Sequence, residues 1–506
     1  MEKTFDRRML LKAAAAATAG VVSTPTFARA DDRKTLVARY VFRGRFTDPS
    51  TPDWVYLPFR VPKRTSRIHV EYDYTPTTGG PITTNVVDIG IFDASGHGVG
   101  NAAGFRGWSG GARRKFTISR SHATPGYLAG PLTPGPWVIA LGPYQINGAG
   151  TPYTVVVECV LGQVGPDFVP SVAPQAVPGT GPGWYRGDLH THTVYSDGRW
   201  TQPTLLAAAR DAGLDFIGTS EHNTSAATYN WGRNVPDDFL VIDGEEVTTR
   251  NGHWVATGLP PKTWIDWRYR AADNKIQAFA DQVRELGGVT IAAHPNIPVP
   301  SIKWDFDPDF AEMDAVEVWN GPWSIFNQQA LLRWDGLLKR GIYKPGVGNS
   351  DSHHDGQQVG LAHNVMRMGS LSSAEMVAAV KGGHLWITGS SGVDLTFTAG
   401  VGAGTATCGE TLAAAAPGDT VTVALAATGV PSTVAQLWGP TGVLAGAIAD
   451  GTGAVTLTAD LPASALAYVR AELRRPKTEI GDPTGDYSAS EMVALTNPVF
   501  VSVSSG

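Results

Sequence analysis

From Thr35 to about Gly162, apolar and polar residues alternate in short runs: TLVARYVF, RIHVEYDY, NVVDIGIFD, RKFTISR, PWVIALG and YTVVVECV, broken by Gly, Pro and Asn-Gly. Side chains on a strand change face at every residue, so this text predicts an antiparallel β-sandwich over 31–165. The stretch VGPDFVPSVAPQAVPGTGPGW has no periodicity and is rich in Pro and Gly, which makes 166–183 a linker. From Trp184 the pattern alternates between strands and helices. Thr201 and Pro203 stand before LLAAARDAG as start signals and Gly213 stands behind it, after which LDFIGTSEHN reads as a buried strand. NKIQAFADQVRELGG and NQQALLRWDGLLKRG are helical, while VTIAAHPN, DAVEVWN and KPGVGNSDSHH are strands. The expected class is α/β, with a β/α-barrel layout over 184–390. After Ser391 short strands return (VDLTFTAG, GDTVTVALAATG, VAQLWGP, GAVTLTADL, AYVRAEL), predicting a C-terminal all-β module over 391–506.

Composition adds few constraints. With 59 Gly, 35 Pro and 17% charged residues in 506, the chain is a turn-rich globular protein rather than a disordered or coiled-coil one. Residues 1–30 differ from the rest: MEKTFDRRMLLK is charged, AAAAATAGVVSTPTF is small and apolar, and Ala28-Arg29-Ala30 reads as a cleavage site. This predicts an export signal and a periplasmic or secreted protein. The Arg7-Arg8 pair resembles a twin-arginine signal, although Asp6 precedes it and Leu10 stands where phenylalanine is usual. Without that segment the net charge is −9, which argues against nucleic acid or an anionic membrane as the main partner. No later stretch is apolar enough for long enough to span a bilayer as a helix. Two cysteines, Cys159 and Cys408, supply neither a disulfide framework nor a thiolate metal site.

The histidines are unevenly placed. Nine of twelve fall between Trp184 and Gly389, and His190 with His192, His222, His294, and Asp351 with His353 each follow a predicted strand. That is the face on which barrel enzymes assemble their sites. His69, His97 and His122, in the sandwich, have no such company and read as structural or surface groups. Imidazoles and carboxylates without thiolates suit Mn, Zn or Fe, and more than four ligands require more than one divalent ion.

The motifs DLHTHTVYSDG, GLDFIGTSEHN, GEEVTTRNGH, AAHP and GNSDSHH resemble, in order, those of the PHP (polymerase and histidinol phosphatase) superfamily. The GEEVTT...GH segment looks closest to its CehA/McbA-like metallohydrolase branch, and MVALTNPVFVSV near the end is similar to that branch's close. The resemblance implies a distorted (β/α)7-type barrel. It assigns His190, His192 and Asp351 to a first ion, with Glu246 bridging to a second held by His253 and His294, and Glu245 as the alternative bridge. Asp197, His222 and His353 would hold a third. NGHW around His253 also reads as a hairpin turn with a surface imidazole.

Two or three divalent ions, Mn first and otherwise Zn or Fe, would activate a bridging hydroxide as nucleophile between groups held by Glu246 and Asp351. The implied activity is that of a secreted phosphoesterase, foremost a phosphodiesterase, on a small-molecule ester substrate. The alternatives are a carboxyl or carbamate ester hydrolase and, from another class, a non-catalytic cell-surface binding protein. His354, His363, His384, Asn223, Asn296, Asn320 and Arg186 are further polar candidates, each equally readable as structural. Trp54, Trp137 and Trp438, in the β regions, read as core.

Overall fold

The computed structural model describes residues 26–29, 36–47, 51–76, 84–414 and 416–503. Of the expected export signal only Thr26–Arg29 is among them, paired antiparallel with Leu36–Arg39; the remainder lies outside the described residues. The chain divides into two compact units, residues 1–170 with 195–197, and residues 171–194 with 198–506.

The first unit is built of two antiparallel sheets. One runs in the order 26–29, 36–46, 151–161, 65–74, 115–119, the other 55–61, 135–145, 86–92, 105–110. Period-two alternation drives the packing: Ile68, Val70, Tyr72 and Tyr74 of one sheet point inward, and Leu57, Ile89, Trp137 and Ile139 of the other join them in a single apolar core. Cys159 lies in that core with a free thiol.

In the second unit, helix boundaries follow the local signals. Gln202–Asp211 is capped by Thr201, whose hydroxyl accepts from the Thr204 amide, and the chain leaves it through Gly213 at φ +74°. Ile276–Glu285 and Ile325–Lys339 are the other two helices the pattern marks. A fourth, Ser373–Gly382, is capped by Ser372 and ends at Gly383 with φ +65°. These helices flank two parallel strand runs, 183–188/216–218/240–242 and 289–292/315–320/346–349.

The regular (β/α)7 alternation is not what the ladders form. The first run continues through antiparallel strands 363–368, 385–388, 491–496 and 468–475 into an 11-stranded sheet, and the second belongs to a separate 5-stranded one. Isolated bridges, Thr191 to Ser352 and His222 to Glu246, link them where ladders would close a barrel. The reason is local. GEEVTTRNGHWVAT is a hairpin, 244–249 against 252–257, turning at Arg250-Asn251, and two-residue turns join antiparallel strands where a parallel pair needs a helical crossover. The last strands share a core with a further 4-stranded sheet, 404–406, 394–401, 420–428, 455–462. A buried ionic cluster ties Asp335 on helix Ile325–Lys339 to Arg470, Glu472 and Arg474 on strand Tyr468–Arg475. Among the described residues no helix is long and apolar enough to cross a membrane.

Candidate metal centre

Eight of the nine expected ligands are delivered by a strand or by the residues just past its end, while Asp197 lies nine residues beyond Asp188 and is assigned to the first unit. His190 and His192 follow strand 183–188, and the His190 carbonyl accepts from the Asp351 amide while the His192 amide donates to Ser352. Asp188 locks this junction: its Oδ1 accepts from the amides of His190 and Ser350, and its Oδ2 from Gly360. Burial raises its pKa to about 6, against the pull of those hydrogen bonds. His222 follows strand 216–218, His294 follows 289–292, and Asp351 and His353 follow 346–349. His294 and Asp351 adopt left-handed backbone, φ +29° and +52°, strain that non-glycine residues accept where the surroundings fix them.

The hairpin supplies the centre. Glu246 is completely buried, and its Oε2 lies 3.2 Å from His190 Nε2, 3.3 Å from His192 Nε2 and 2.9 Å from His222 Nδ1. Its Oε1 lies 2.9 Å from His253 Nδ1 and 3.0 Å from His294 Nε2. Glu245, its neighbour on the strand, faces the other way and accepts from the Ile265 amide, because adjacent strand residues point to opposite sides. Hairpin and inward imidazole therefore coexist at His253, which sits opposite Thr248 and is 5% exposed. Asp351 Oδ1 is 3.4 Å from His190 Nε2 and 3.1 Å from His192 Nε2.

Among the described residues of the second unit, four groups offer ligand atoms within 4.8 Å of one another: His190, His192 and Asp351; His190, Glu246 and His294; His222, Glu246 and His253; and His192, His222 and His353. Eight of the nine expected positions meet within the second unit, Asp197 being assigned to the first, and the grouping differs from the expected division: His190 also belongs with Glu246 and His294, and His222 with Glu246 and His253. Buried polar atoms remain without a hydrogen bond at the focus, namely His190 Nε2, His253 Nε2, Glu246 Oε2 and Asp351 Oδ1. Such convergence is costly unless something binds there, and imidazole nitrogens facing carboxylate oxygens are the donor set of a divalent cation.

Electrostatics agree with that fit. Burial alone would raise the Glu246 carboxyl, but His222, His190 and His253 hold it well below the usual range. Asp351 is lowered likewise, against its burial, by His190 and His192. Burial lowers His253 to about 4, so it is neutral with a lone pair to give. Burial also opposes charge on His190 and His294, yet the surrounding carboxylates raise both.

Five of the other polar candidates are held by partners outside the focus. His354 Nδ1 accepts from the Gly356 amide, His363 Nδ1 donates to the Gly360 carbonyl and His384 Nδ1 to the Cys408 carbonyl. Arg186 is held by Asp394 and the Val393 carbonyl. Asn223 pairs with the Thr248 backbone. Asn320 Nδ2 reaches Glu317 at 2.9 Å and Asp351 at 3.4 Å. In the sandwich, His69 bonds Thr117 and Glu71, and His97 packs on Tyr56. Two buried carboxylates are beyond what the motif reading names. Glu221 accepts from the Thr193 amide and hydroxyl, and Glu317 lies 3.2 Å from His190 Nδ1. Their signal was present: a glutamate in an otherwise apolar buried strand, DAVEVWN, needs a partner inside.

No family model and no curated protein matches the chain. Four solved chains bear a distant likeness, two of which are as follows. One is described as a two-domain protein containing a predicted PHP-like metal-dependent phosphoesterase from Bacteroides vulgatus, 15% identical, with 65% of this chain and 100% of that one covered at a TM-score of 0.33. The other is an amidohydrolase from Chromobacterium violaceum, 17% identical, with 34% and 89% covered at a TM-score of 0.27. At such TM-scores neither carries an argument about this chain, and the reading rests on its own side chains.

Proposed function

We propose that the second unit is a metal-dependent hydrolase of ester bonds, foremost a phosphodiesterase acting on a small-molecule substrate. The observation that carries this is the convergence of buried, hydrogen-bond-deficient imidazole and carboxylate atoms on Glu246. His190, His192 and Asp351, His190, Glu246 and His294, and His222, Glu246 and His253 are the sets that would hold divalent ions, with His353 joining His192 and His222 in a further one. Such ions supply Lewis acidity, bringing the pKa of a water toward neutrality and offsetting charge on the oxygens of the attacked ester.

The chain's own residues do the remainder. Glu246 and Asp351 stay anionic while buried and so concentrate negative charge where cations are needed. His253 stays neutral and keeps a lone pair free. The carboxylates around His190 and His294 favour their protonated forms, which compete with a cation, so loading weakens as pH falls. Asp188 keeps the His190 and Asp351 segments in register. The order of the PHP-like motifs supports phosphorus as the attacked atom, and Mn as the first metal to try. Export, read from residues 1–30, belongs to the same proposal.

The test is elemental analysis of protein loaded with Mn, followed by assay of bis(4-nitrophenyl) phosphate beside a naphthyl carbamate and naphthyl acetate. Bound Mn with turnover of the diester is expected. Protein without bound metal overturns the reading, and turnover of the carbamate alone replaces phosphorus by carbonyl carbon.

A further inference from the structure

We propose that Glu317 is a positioning residue that decides which ring nitrogen His190 presents to a cation, and that the same carboxylate sets the His294 and Asp351 segments around it. This inference rests on the metal-dependent reading above. Glu317 lies on strand 315–320 and is 1% exposed. Its Oε1 faces His190 Nδ1 at 3.2 Å and accepts from Asn349 Nδ2 at 2.8 Å. Its Oε2 accepts from the His294 amide at 2.7 Å and from Asn320 Nδ2 at 2.9 Å, and that same Asn320 nitrogen lies 3.4 Å from Asp351 Oδ2. One carboxylate thus meets four donors, its full acceptor capacity, and joins three segments that carry expected ligands.

The consequence for His190 follows from imidazole chemistry. A neutral imidazole carries a single N–H, and the carboxylate at Nδ1 takes it, which leaves the lone pair on Nε2. Nε2 is the atom directed at Glu246 and Asp351, buried and without a hydrogen bond. A carboxylate behind a ligating histidine fixes its tautomer and increases its basicity. Glutamine cannot do the same. In either amide orientation its NH2 group confronts two donors: the His294 amide and Asn320, or His190 Nδ1–H and Asn349. The second orientation favours a proton on Nε2, where it blocks a cation.

The experiment uses the full chain. Manganese binding is titrated by electron paramagnetic resonance for wild type, Glu317→Gln and Glu317→Asp. The histidine ring nitrogens of zinc-loaded, 15N-histidine-labelled protein are read by NMR, with His190→Gln identifying the His190 signals. Glu317→Gln is expected to bind metal about 10- to 100-fold more weakly and to give His190 a mixture of tautomers, while Glu317→Asp recovers part of the affinity. Asn320→Ala, a half-buried site that leaves the Glu317–His190 pair intact, keeps the test open if Glu317→Gln fails to fold. It is expected to weaken binding with the His190 tautomer unchanged, and wild-type affinity there overturns the link to Asp351. Wild-type protein that takes up no metal overturns the metal-dependent reading, and this inference with it. Wild-type protein that binds, beside a Glu317→Gln variant with the same affinity and tautomer, overturns this inference alone.

Discussion

Glu246→Gln is the sharpest perturbation, because two of the four ligand groups contain this carboxylate and five histidines contact it. A cation that binds only the folded state, present at one hundred times its Kd, stabilises that state by about 2.7 kcal/mol. The second unit has roughly 330 residues, and at about 2.1 cal/mol/K for each the unfolding entropy is near 0.7 kcal/mol/K. Manganese should therefore raise its Tm by about 4 °C. If the amide weakens binding about a hundredfold, the same manganese concentration sits near Kd and contributes only about 0.4 kcal/mol, a shift under about 1 °C. The assay is calorimetric melting with and without manganese, with chelator present in the reference scan. Glu71→Gln, the same charge change on the first unit's sheet, serves as control and should retain the full shift. A Glu246→Gln protein that still gains about 4 °C would refute the assignment of Glu246 to the cation site.

Three other outcomes are expected. Glu472→Gln removes the carboxylate that Arg470 and Arg474 share, leaving buried guanidinium charge under-compensated, and should lower stability in urea by about 3 kcal/mol or more; a loss below about 1 kcal/mol would contradict it. His363 is held neutral, its pKa lowered to about 4 by burial and by Arg186 against its bond to Gly360. The unfolded chain takes up that proton below about 6.5 while the folded one does not, so this residue costs stability as pH falls from 6.5 toward 4, by up to about 1.4 kcal/mol per pH unit. Urea melts at pH 7.5, 5.5 and 4.5 should show His363→Gln losing less than wild type over that interval, and parallel losses would count against it. Gly244→Ala places a Cβ 2.5 Å from the Ala256 carbonyl and 2.9 Å from that of Thr219, so about 1–3 kcal/mol of stability and weaker manganese binding through the displaced Glu246 strand are expected in melting and titration.

Much of the centre was legible because its ligands sit at strand ends, where a local motif carries the residue and the period of two carries its direction. His190 and His192 share a side for that reason, and by the same rule Glu245 and Glu246 face opposite ways, although it was the motif resemblance and not the period that marked Glu246 as the bridge. The helix starting after Thr201 was legible from its cap. The departure from a regular barrel was not, because a hairpin and a crossover begin with the same alternating text and differ only in how the partner strand runs.

The chain alone determined the kind of chemistry on offer: imidazoles and carboxylates without thiolates, clustered in one stretch between beta-rich flanks. Composition and short-range spacing suffice for that, since they depend on residues near one another in sequence. The tertiary structure decided which of those groups meet. Glu246 touches histidines 7 to 56 positions away, and Glu317 reaches His190 across 127. Such contacts depend on strand order and twist, which local sequence does not encode. It also decided that Arg186 is held by Asp394, and that the C-terminal strands extend a sheet that begins at Leu240–Ile242. Burial supplied the last element, leaving imidazole and carboxylate atoms at the focus without a hydrogen-bond partner.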